Sequence, residues 1–194
     1  MMNEVVKKKK ELRNKLTERR NLIKRNTTLE FNIDMFYKLT EKIKLNAIEC
    51  VGSFMSIRSE ISTNKLNKAI LDMDKKLAFP TIEKNSDRLI FKTTNSLKSF
   101  KLGKFNIPEP TNDNYEIIPQ LFFVPCLGFD LKGFRIGYGG GFYDKTFAKL
   151  KQLNLVFYTV GFAYDDQKQD KLPVEKFDYK LDFVLTEKQL YTFL

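Results

Sequence analysis

The chain has 194 residues, a formal net charge of +10, no histidine, no tryptophan and two cysteines. With 42% hydrophobic and 30% charged residues it has the composition of a globular protein with a real core, not of a disordered one. The absence of histidine excludes a Ser-His-Asp or Cys-His nucleophile, imidazole metal ligation and a histidine pH switch. Chemistry must then rest on carboxylates, Lys, Arg, Tyr, backbone N–H groups or a bound metal.

In chain order, residues 3–25 read as a charged helix with an interrupted apolar stripe at Val5, Leu12, Leu16 and Leu22–Ile23. Asn26-Thr27-Thr28 marks a break, with Thr28 or Asn32 as cap for a second helix from about Asn32 to Leu45, where Phe36, Leu39 and Ile43 keep helical spacing. Cys50 to Ser56 is a short buried run of strand type. Thr63 and Asn64 open a helix through Leu66, Ile70 and Met73. Leu77 to Pro80 and Leu89 to Lys92 read as strands, and residues 94–118 as a looser connection around Asn106–Pro110. Gln120 to Pro125 is a buried strand, Phe147 to Leu150 lies in a helix, and Asn154 to Phe162 is a further strand. Leu181 to Leu185 is the last strand, followed by a short C-terminal helix. Strands alternating with helices after residue 50 imply an α/β fold: a mostly parallel sheet flanked by helices on both faces. We expect a single domain over residues 1–194, with basic helices in 3–45 and the sheet core in 50–194.

Cys50 and Cys126 sit in apolar surroundings without CxxC spacing, as core residues of a reducing compartment do. Residues 1–25 lack the 7–15-residue apolar stretch of a signal peptide, and no run approaches the roughly 18 apolar residues that span a bilayer. A cytoplasmic monomer that uses no membrane is the expectation. Lysine outnumbers arginine 27 to 7 and is scattered over the whole chain. Such a bias is often an effect of coding composition and argues against a nucleic-acid surface, while a site for an anionic small molecule fits the charge as well.

The most informative segment is Phe129-Asp-Leu-Lys-Gly-Phe-Arg-Ile-Gly-Tyr-Gly-Gly-Gly-Phe-Tyr-Asp-Lys-Thr146. Four of the nine glycines, Gly137, Gly139, Gly140 and Gly141, fall within five positions between a strand and a helix. Backbone N–H groups in such a loop can approach an anion closely, and the helix N-terminus adds partial positive charge. Arg135 and Lys145 bracket it with cations, so phosphate is the natural ligand class. The loop matches neither Walker A, since Lys145-Thr146 follow Asp144, nor GxGxxG, since position 142 is Phe. Asp144, just beyond the loop, is placed either for Mg²⁺ bound beside phosphate or for a plain interaction with the helix N-terminus.

Val124-Pro-Cys-Leu-Gly-Phe-Asp130 followed by Gly133-Phe-Arg-Ile-Gly-Tyr-Gly-Gly-Gly-Phe-Tyr-Asp144 resembles the signature of the 5-formyltetrahydrofolate cyclo-ligase (5,10-methenyltetrahydrofolate synthetase) family. Lys9-Lys-Glu-Leu-Arg13 with Arg19-Arg20, Phe54-Met-Ser-Ile-Arg-Ser-Glu-Ile-Ser-Thr63, and Leu172-Pro-Val-Glu-Lys-Phe-Asp178 continuing to Leu181-Asp182 are similar to three further family motifs in the same order. The resemblance implies a fold shared with the ribose-5-phosphate isomerase and CoA-transferase group. It implies the reaction of 5-formyltetrahydrofolate with ATP to give 5,10-methenyltetrahydrofolate, ADP and phosphate, with Mg²⁺ as cofactor. It implies that Lys9, Arg13, Arg135 and the loop Gly137, Tyr138, Gly139, Gly140, Gly141, Phe142 and Tyr143 hold ATP. Met55 and Glu60 would line the folate site, with Tyr138 to Phe142 also facing it, and Asp144 and Asp178 would bind the metal. Arg135, Tyr143 and Asp144 would be catalytic. Three positions depart from the family pattern: Phe177 where a His or polar residue is common, Cys126 for a small residue, and Phe142 for one of a Tyr-Tyr pair.

The implied chemistry has the formyl oxygen attack the γ-phosphate, N10 close the ring, and phosphate leave. Phosphoryl transfer asks a protein for positioning and charge stabilisation, which a histidine-free site can supply. The basic surface also suits a folate carrying a glutamate tail. Two other readings remain at this stage: an ATP-independent phosphosugar isomerase with Glu60 as base, and a nucleic-acid-binding module using the basic N-terminal helix.

Overall fold

A computed structural model describes residues 4–27, 31–83, 85–94, 97, 100–111 and 115–194. The chain opens with helix α1 (Glu4–Asn26), whose buried residues are Lys9, Leu16 and Arg20. With the half-buried Arg13 they recur at intervals of four, three and four, which is one helical face. The apolar stripe read from the sequence is only part of that face, because Leu22 is exposed. Helix α2 (Ile33–Lys42) is capped by Asn32, whose side chain accepts from the Asp34 N–H at 3.0 Å. The alternative cap, Thr28, lies outside the described residues. Helix α2 ends at Lys42, short of Leu45, because Lys44 takes a left-handed φ of 49° and Leu45–Ala47 tighten into one 3-10 turn.

The remaining elements are β1 (Cys50–Gly52), α3 (Asn64–Asp72), β2 (Lys76–Thr81), β3 (Ile90–Thr93), β4 (Phe100–Leu102), β5 (Pro108–Pro110), β6 (Leu121–Pro125), β7 (Gly128–Asp130), β8 (Arg135–Ile136), α4 (Phe142–Gln152), β9 (Tyr158–Phe162), β10 (Lys168–Gln169), β11 (Phe183–Leu185) and β12 (Leu190–Thr192). Seven strands form the main sheet in the order β12-β11-β9-β6-β1-β2-β3. The inner five pair in parallel, and β3 and β12 close the edges antiparallel. Strand β6 shows why both faces are covered. Leu121 and Phe123 point into one apolar cluster with Phe36, Leu39, Leu66 and Ile70 of α2 and α3. Phe122 and Val124 point into the other, with Phe147 and Leu150 of α4. Both cysteines are buried free thiols, pushed up to about 12 by that burial, so neither is a reactive nucleophile.

Four expectations need correction. The C-terminal segment is not a helix: Thr186 and Gln189 close a tight turn, and Leu190–Thr192 return along β11, with Tyr191 opposite Val184. The connection over 94–118 contains a hairpin, β4 with β5, in which Lys101 pairs with Glu109. Its two prolines suit an edge strand, where a missing N–H costs no ladder bond. Strand β9 starts at Tyr158, not Asn154, because Asn154 adopts φ 55° and the Leu155 N–H returns to the Leu150 carbonyl to finish α4. Strand β1 stops at Gly52, and Phe54–Ser56 leave the sheet. Thr63, the expected helix opener, spends its hydroxyl on the Phe54 carbonyl at 2.8 Å and so holds that exit loop. No described helix is long and apolar enough to cross a membrane.

Phe122 is the hub of the second cluster, with edge-on ring contacts to Phe91 (5.0 Å), Phe147 (5.2 Å) and Phe157 (5.5 Å). Phe122→Ala is expected to destabilise the fold by about 3–5 kcal/mol. The check is the urea unfolding midpoint at unchanged m-value.

Candidate active site

In an open parallel sheet, ligands bind beyond the carboxyl ends of the strands, where successive crossovers diverge. Here β1 leads through α3 to β2 on one side, while β6 leads through β9 to β11 on the other. A cavity of about 540 Å³ opens beside that divergence, lined by Phe54 and Met55 after β1, Pro80 at the end of β2 and Pro125 at the end of β6. Its wall also contains Lys9, Arg13, Glu60, Arg135, the loop from Gly137 to Tyr143, Asp144 and Asp178. Every site residue implied by the family resemblance therefore lines one cavity, although the residues come from four separate segments.

The antiparallel pair β7–β8 brings the chain to the cavity. Its turn is tied by the Asp130 carboxylate, which accepts from the Lys132 and Phe134 N–H groups at 3.0 Å and from Leu172 at 3.2 Å. The glycine loop follows. Gly139 (φ 103°) and Gly141 (φ 66°) occupy backbone regions that side chains disfavour. Gly141 is the residue before α4, and no side chain caps this helix, whose first residues face the cavity. Arg13 reaches across from α1, donating from Nε to the Gly137 carbonyl at 3.0 Å, and its guanidinium carbon lies 3.2 Å from where a Cβ on Gly139 would sit. The close approach of Arg13 to the loop thus depends on Gly139.

Two cation–carboxylate pairs stand in the wall. The Lys9 ammonium is buried and donates to Asp178 at 2.5 and 2.7 Å and to Glu175 at 2.8 Å. Asp178 is further held by the Glu175 N–H at 2.7 Å. Arg135 donates to Asp144 at 3.0 Å, and the Tyr179 N–H donates to the same oxygen at 3.0 Å. Tyr143 lies beneath the Arg135 guanidinium, 5.9 Å from ring centre to Cζ. Its hydroxyl is buried with no partner among the described residues, and burial pushes its pKa well up, so it stays a neutral donor.

Glu60 is buried in a turn whose Arg58 takes φ 55°. It accepts from the Ile57 N–H at 2.9 Å and the Tyr138 hydroxyl at 3.1 Å. Burial raises its carboxyl above the ordinary range, opposed by the Ile57 N–H, Arg20, Tyr138 and Arg58. The half-buried Phe142 packs over Gly140, where a Cβ would come within 2.7 Å of the ring.

Several features were not read from the sequence. Lys145, taken as a bracket of the loop, is exposed, reaches Asp87 at 3.4 Å and is not in the cavity wall. Glu175, Arg58 and Glu109 line the cavity, and Arg20 lies buried behind it. The signal for Arg20 was available, since it falls on the Lys9–Arg13–Leu16 helical stripe. Phe177 is 81% exposed and is not among the cavity-lining residues. Cys126 contributes its carbonyl to Arg20 and Gln167.

The donor set suits a hard cation. Asp144 and Asp178 offer carboxylate oxygens at positions that already hold a positive group within 3.0 Å. Among the described residues no group of three or more His, Cys, Asp or Glu side chains could hold a metal. A divalent ion would need ligands from elsewhere, as Mg²⁺ does when it binds through one or two carboxylates and phosphate oxygens.

Comparison with known proteins agrees with this geometry. The model of the 5-formyltetrahydrofolate cyclo-ligase family matches residues 5–187. The 5-formyltetrahydrofolate cyclo-ligase of Escherichia coli is 29% identical over 146 residues, covering 73% of this chain and 79% of that protein. The enzyme of the same name from Haemophilus influenzae is 31% identical over 140 residues, covering 70% and 74%. The NMR structure of Aquifex aeolicus 5,10-methenyltetrahydrofolate synthetase superposes with a TM-score of 0.66 at 25% identity, covering 95% of this chain and 92% of that one. A 5,10-methenyltetrahydrofolate synthetase from Mycoplasma pneumoniae superposes with a TM-score of 0.67 at 20% identity, over 92% and 98%. A match over nearly the whole length, with the same fold and a glycine loop facing paired cations and carboxylates, leaves one conclusion: the chain belongs to the 5-formyltetrahydrofolate cyclo-ligase family.

Proposed function

We propose that this chain is an ATP-dependent 5-formyltetrahydrofolate cyclo-ligase working in the cytoplasm as a monomer, with the cavity beyond β1 and β6 as its active site. The observation that carries the site is the convergence of α1, the β1–α3 loop, the glycine loop and the 175–178 turn on one cavity. Family membership leaves the isomerase and nucleic-acid readings without support.

The formyl oxygen attacks the γ-phosphate, ADP leaves, and the N5 iminium phosphate is closed by N10 as phosphate departs. Charge builds on the phosphoryl oxygens, so the protein's task is to orient them and offset that charge. Lys9, Arg13, Arg135 and the loop N–H groups from Gly137 to Tyr143 take the phosphates. The neutral Tyr143 hydroxyl, without a partner among the described residues, donates to an incoming oxygen. Met55, Glu60 and the face formed by Tyr138 to Phe142 hold the pterin, so that N10 stays within reach of the activated carbon. Asp144 and Asp178 would hold Mg²⁺, which when bound would offset phosphate charge.

Binding then exchanges partners. Lys9 and Arg135 now neutralise Asp178 and Asp144. Triphosphate would compete for the two cations, and Asp178 and Asp144, released from them, would be available as oxygen ligands for Mg²⁺. Neither group is left buried and unpaired at any stage, which would cost several kcal/mol.

The direct test mixes the protein with 5-formyltetrahydrofolate and Mg²⁺, with and without ATP, and follows near-ultraviolet absorbance of methenyltetrahydrofolate. Product only with ATP supports the proposal, and product without ATP refutes it. Arg135→Ala is expected to lower kcat/KM at least about tenfold, equivalent to about 1.4 kcal/mol of transition-state stabilisation. Near-normal kinetics would remove Arg135 from the site. Asp144→Asn should raise the Mg²⁺ concentration at half-saturation together with lowering turnover, read from a Mg²⁺ titration at fixed ATP. Lengthening the folate's glutamate tail should lower KM at low salt, with the gain shrinking as salt rises.

A further inference from the structure

We propose that Arg20 is the positioning residue of the folate side of this site, fixing the Glu60 carboxylate and the Tyr138 hydroxyl as one rigid pair. The proposal rests on the reading that Glu60 faces the folate.

Arg20 is 1% exposed and does not line the cavity. Its guanidinium ties together three chain segments that build the cavity. Nε donates to the Ser59 hydroxyl at 3.2 Å in the β1–α3 loop, and one terminal nitrogen donates to the Cys126 carbonyl at 3.2 Å beyond β6. The other donates to the Tyr138 hydroxyl at 2.5 Å in the glycine loop, and the Glu60 carboxylate lies 3.7 Å from the guanidinium. The Tyr138 hydroxyl in turn donates a hydrogen bond to Glu60 at 3.1 Å. The Arg20 guanidinium also lies 5.5 Å from the Tyr138 ring centre, with Arg58 at 5.6 Å from the same ring.

A buried guanidinium is costly unless its charge is paired and its N–H fork satisfied. Glu60 is the ion-pair partner found among the described residues. Only arginine presents a planar fork of donors that can serve such acceptors together; a lysine at this place supplies charge without the fork. Glu60 has one oxygen held by the Ile57 N–H and the other by Tyr138, so its orientation is set from two sides. A pterin carries adjacent ring and amino N–H donors, and a carboxylate of fixed orientation is their natural acceptor.

To accept from both pterin donors the carboxylate must be ionised, since a protonated carboxyl turns one oxygen into a donor. Facing it are Arg20 from α1, Arg58 from its own turn, Tyr138 and Tyr143 from the glycine loop and α4, and the Cys126 thiol from the end of β6. Burial raises its pKa, while Arg20 and Arg58 hold it down. Loss of Arg20 therefore moves the acid limb of folate-dependent activity to higher pH, not lower.

The test measures kcat/KM for 5-formyltetrahydrofolate against pH at saturating ATP, with KM for ATP alongside, in Arg20→Met, Arg20→Lys, Glu60→Gln and the Arg20→Met/Glu60→Gln double variant. Arg20→Met is expected to raise folate KM about tenfold, to leave ATP KM within about twofold, and to move the acid limb up by about one pH unit. Arg20→Lys should raise folate KM severalfold but keep the limb near its original pH. The double variant should lose little beyond Glu60→Gln alone, because the two act as a unit. An unmoved limb in Arg20→Met, or an equal rise in both KM values, overturns the proposal and leaves Arg20 a fold residue. If Arg20→Met does not fold, Arg20→Lys decides: unchanged folate KM, or equal rises for both substrates, overturns it. Normal folate KM in Glu60→Gln refutes the placement of folate at Glu60 instead, a failure distinguishable from that of Arg20.

Discussion

The site depends on cations carried inward by a single helix. Lys9, Arg13 and Arg20 share one face of α1, and two of them are almost fully buried. A charge removed from water must find a partner or unfold the segment that carries it. The three find partners in segments remote from α1: Lys9 in the 175–178 turn, Arg13 in the glycine loop, and Arg20 in the β1–α3 loop, the end of β6 and the glycine loop together. Three loops that share no backbone ladder are thereby held against one rigid rod. The electrostatic demand of α1 organises the cavity more than apolar contact does, since its small cluster comprises Leu16, Leu127, Ile136 and Leu172 with Leu12 beside it.

The sheet supplies the fixed frame for this arrangement. Its five parallel inner strands bury both faces and end at a common edge, so the loops leaving β1 and β6 start from rigid positions. Glycine at 139 lets the backbone pass close to Arg13, and Gly141 lets it turn directly into α4 without a capping side chain. An uncapped helix start costs some stability. In the proposed site the phosphate oxygens take up those N–H groups.

A histidine-free chain can carry out phosphoryl transfer on this frame because the reaction needs charge placement more than a nucleophile. The two wall pairs, Lys9 with Asp178 and Arg135 with Asp144, keep the cavity neutralised before substrate enters. Two of the cations proposed for the phosphates and both carboxylates proposed for the metal are thus stored as partners of one another. That storage accounts for the burial of Lys9 on a helix whose remaining lysines are exposed.

Much was legible in the residues themselves. A continuous apolar run marks β6 and period-3.6 patterns mark α2 and α3, because a strand covered on both faces and an amphipathic helix each leave their pattern in the local sequence. The glycine cluster marks a loop that must approach something closely, and the order of the motifs, through resemblance, points to Lys9, Arg13, Met55, Glu60, Arg135, Asp144 and Asp178 as neighbours. What stayed hidden was whatever a partner strand or a buried charge decides. Leu190–Thr192 is a strand because β11 offers an edge, and Lys101 meets Glu109 because β4 and β5 find each other across a turn. Helical spacing puts Arg20 on the stripe of Lys9, Arg13 and Leu16 and Arg19 off it, but nothing local names the partners that Arg20 finds, and nothing near Lys145 tells that it turns toward Asp87. Local chemistry and spacing determined the parallel sheet and the identity of the loop. Only the tertiary structure decided which charges face one another, because pairing a buried ion depends on distances between segments that the chain order does not contain.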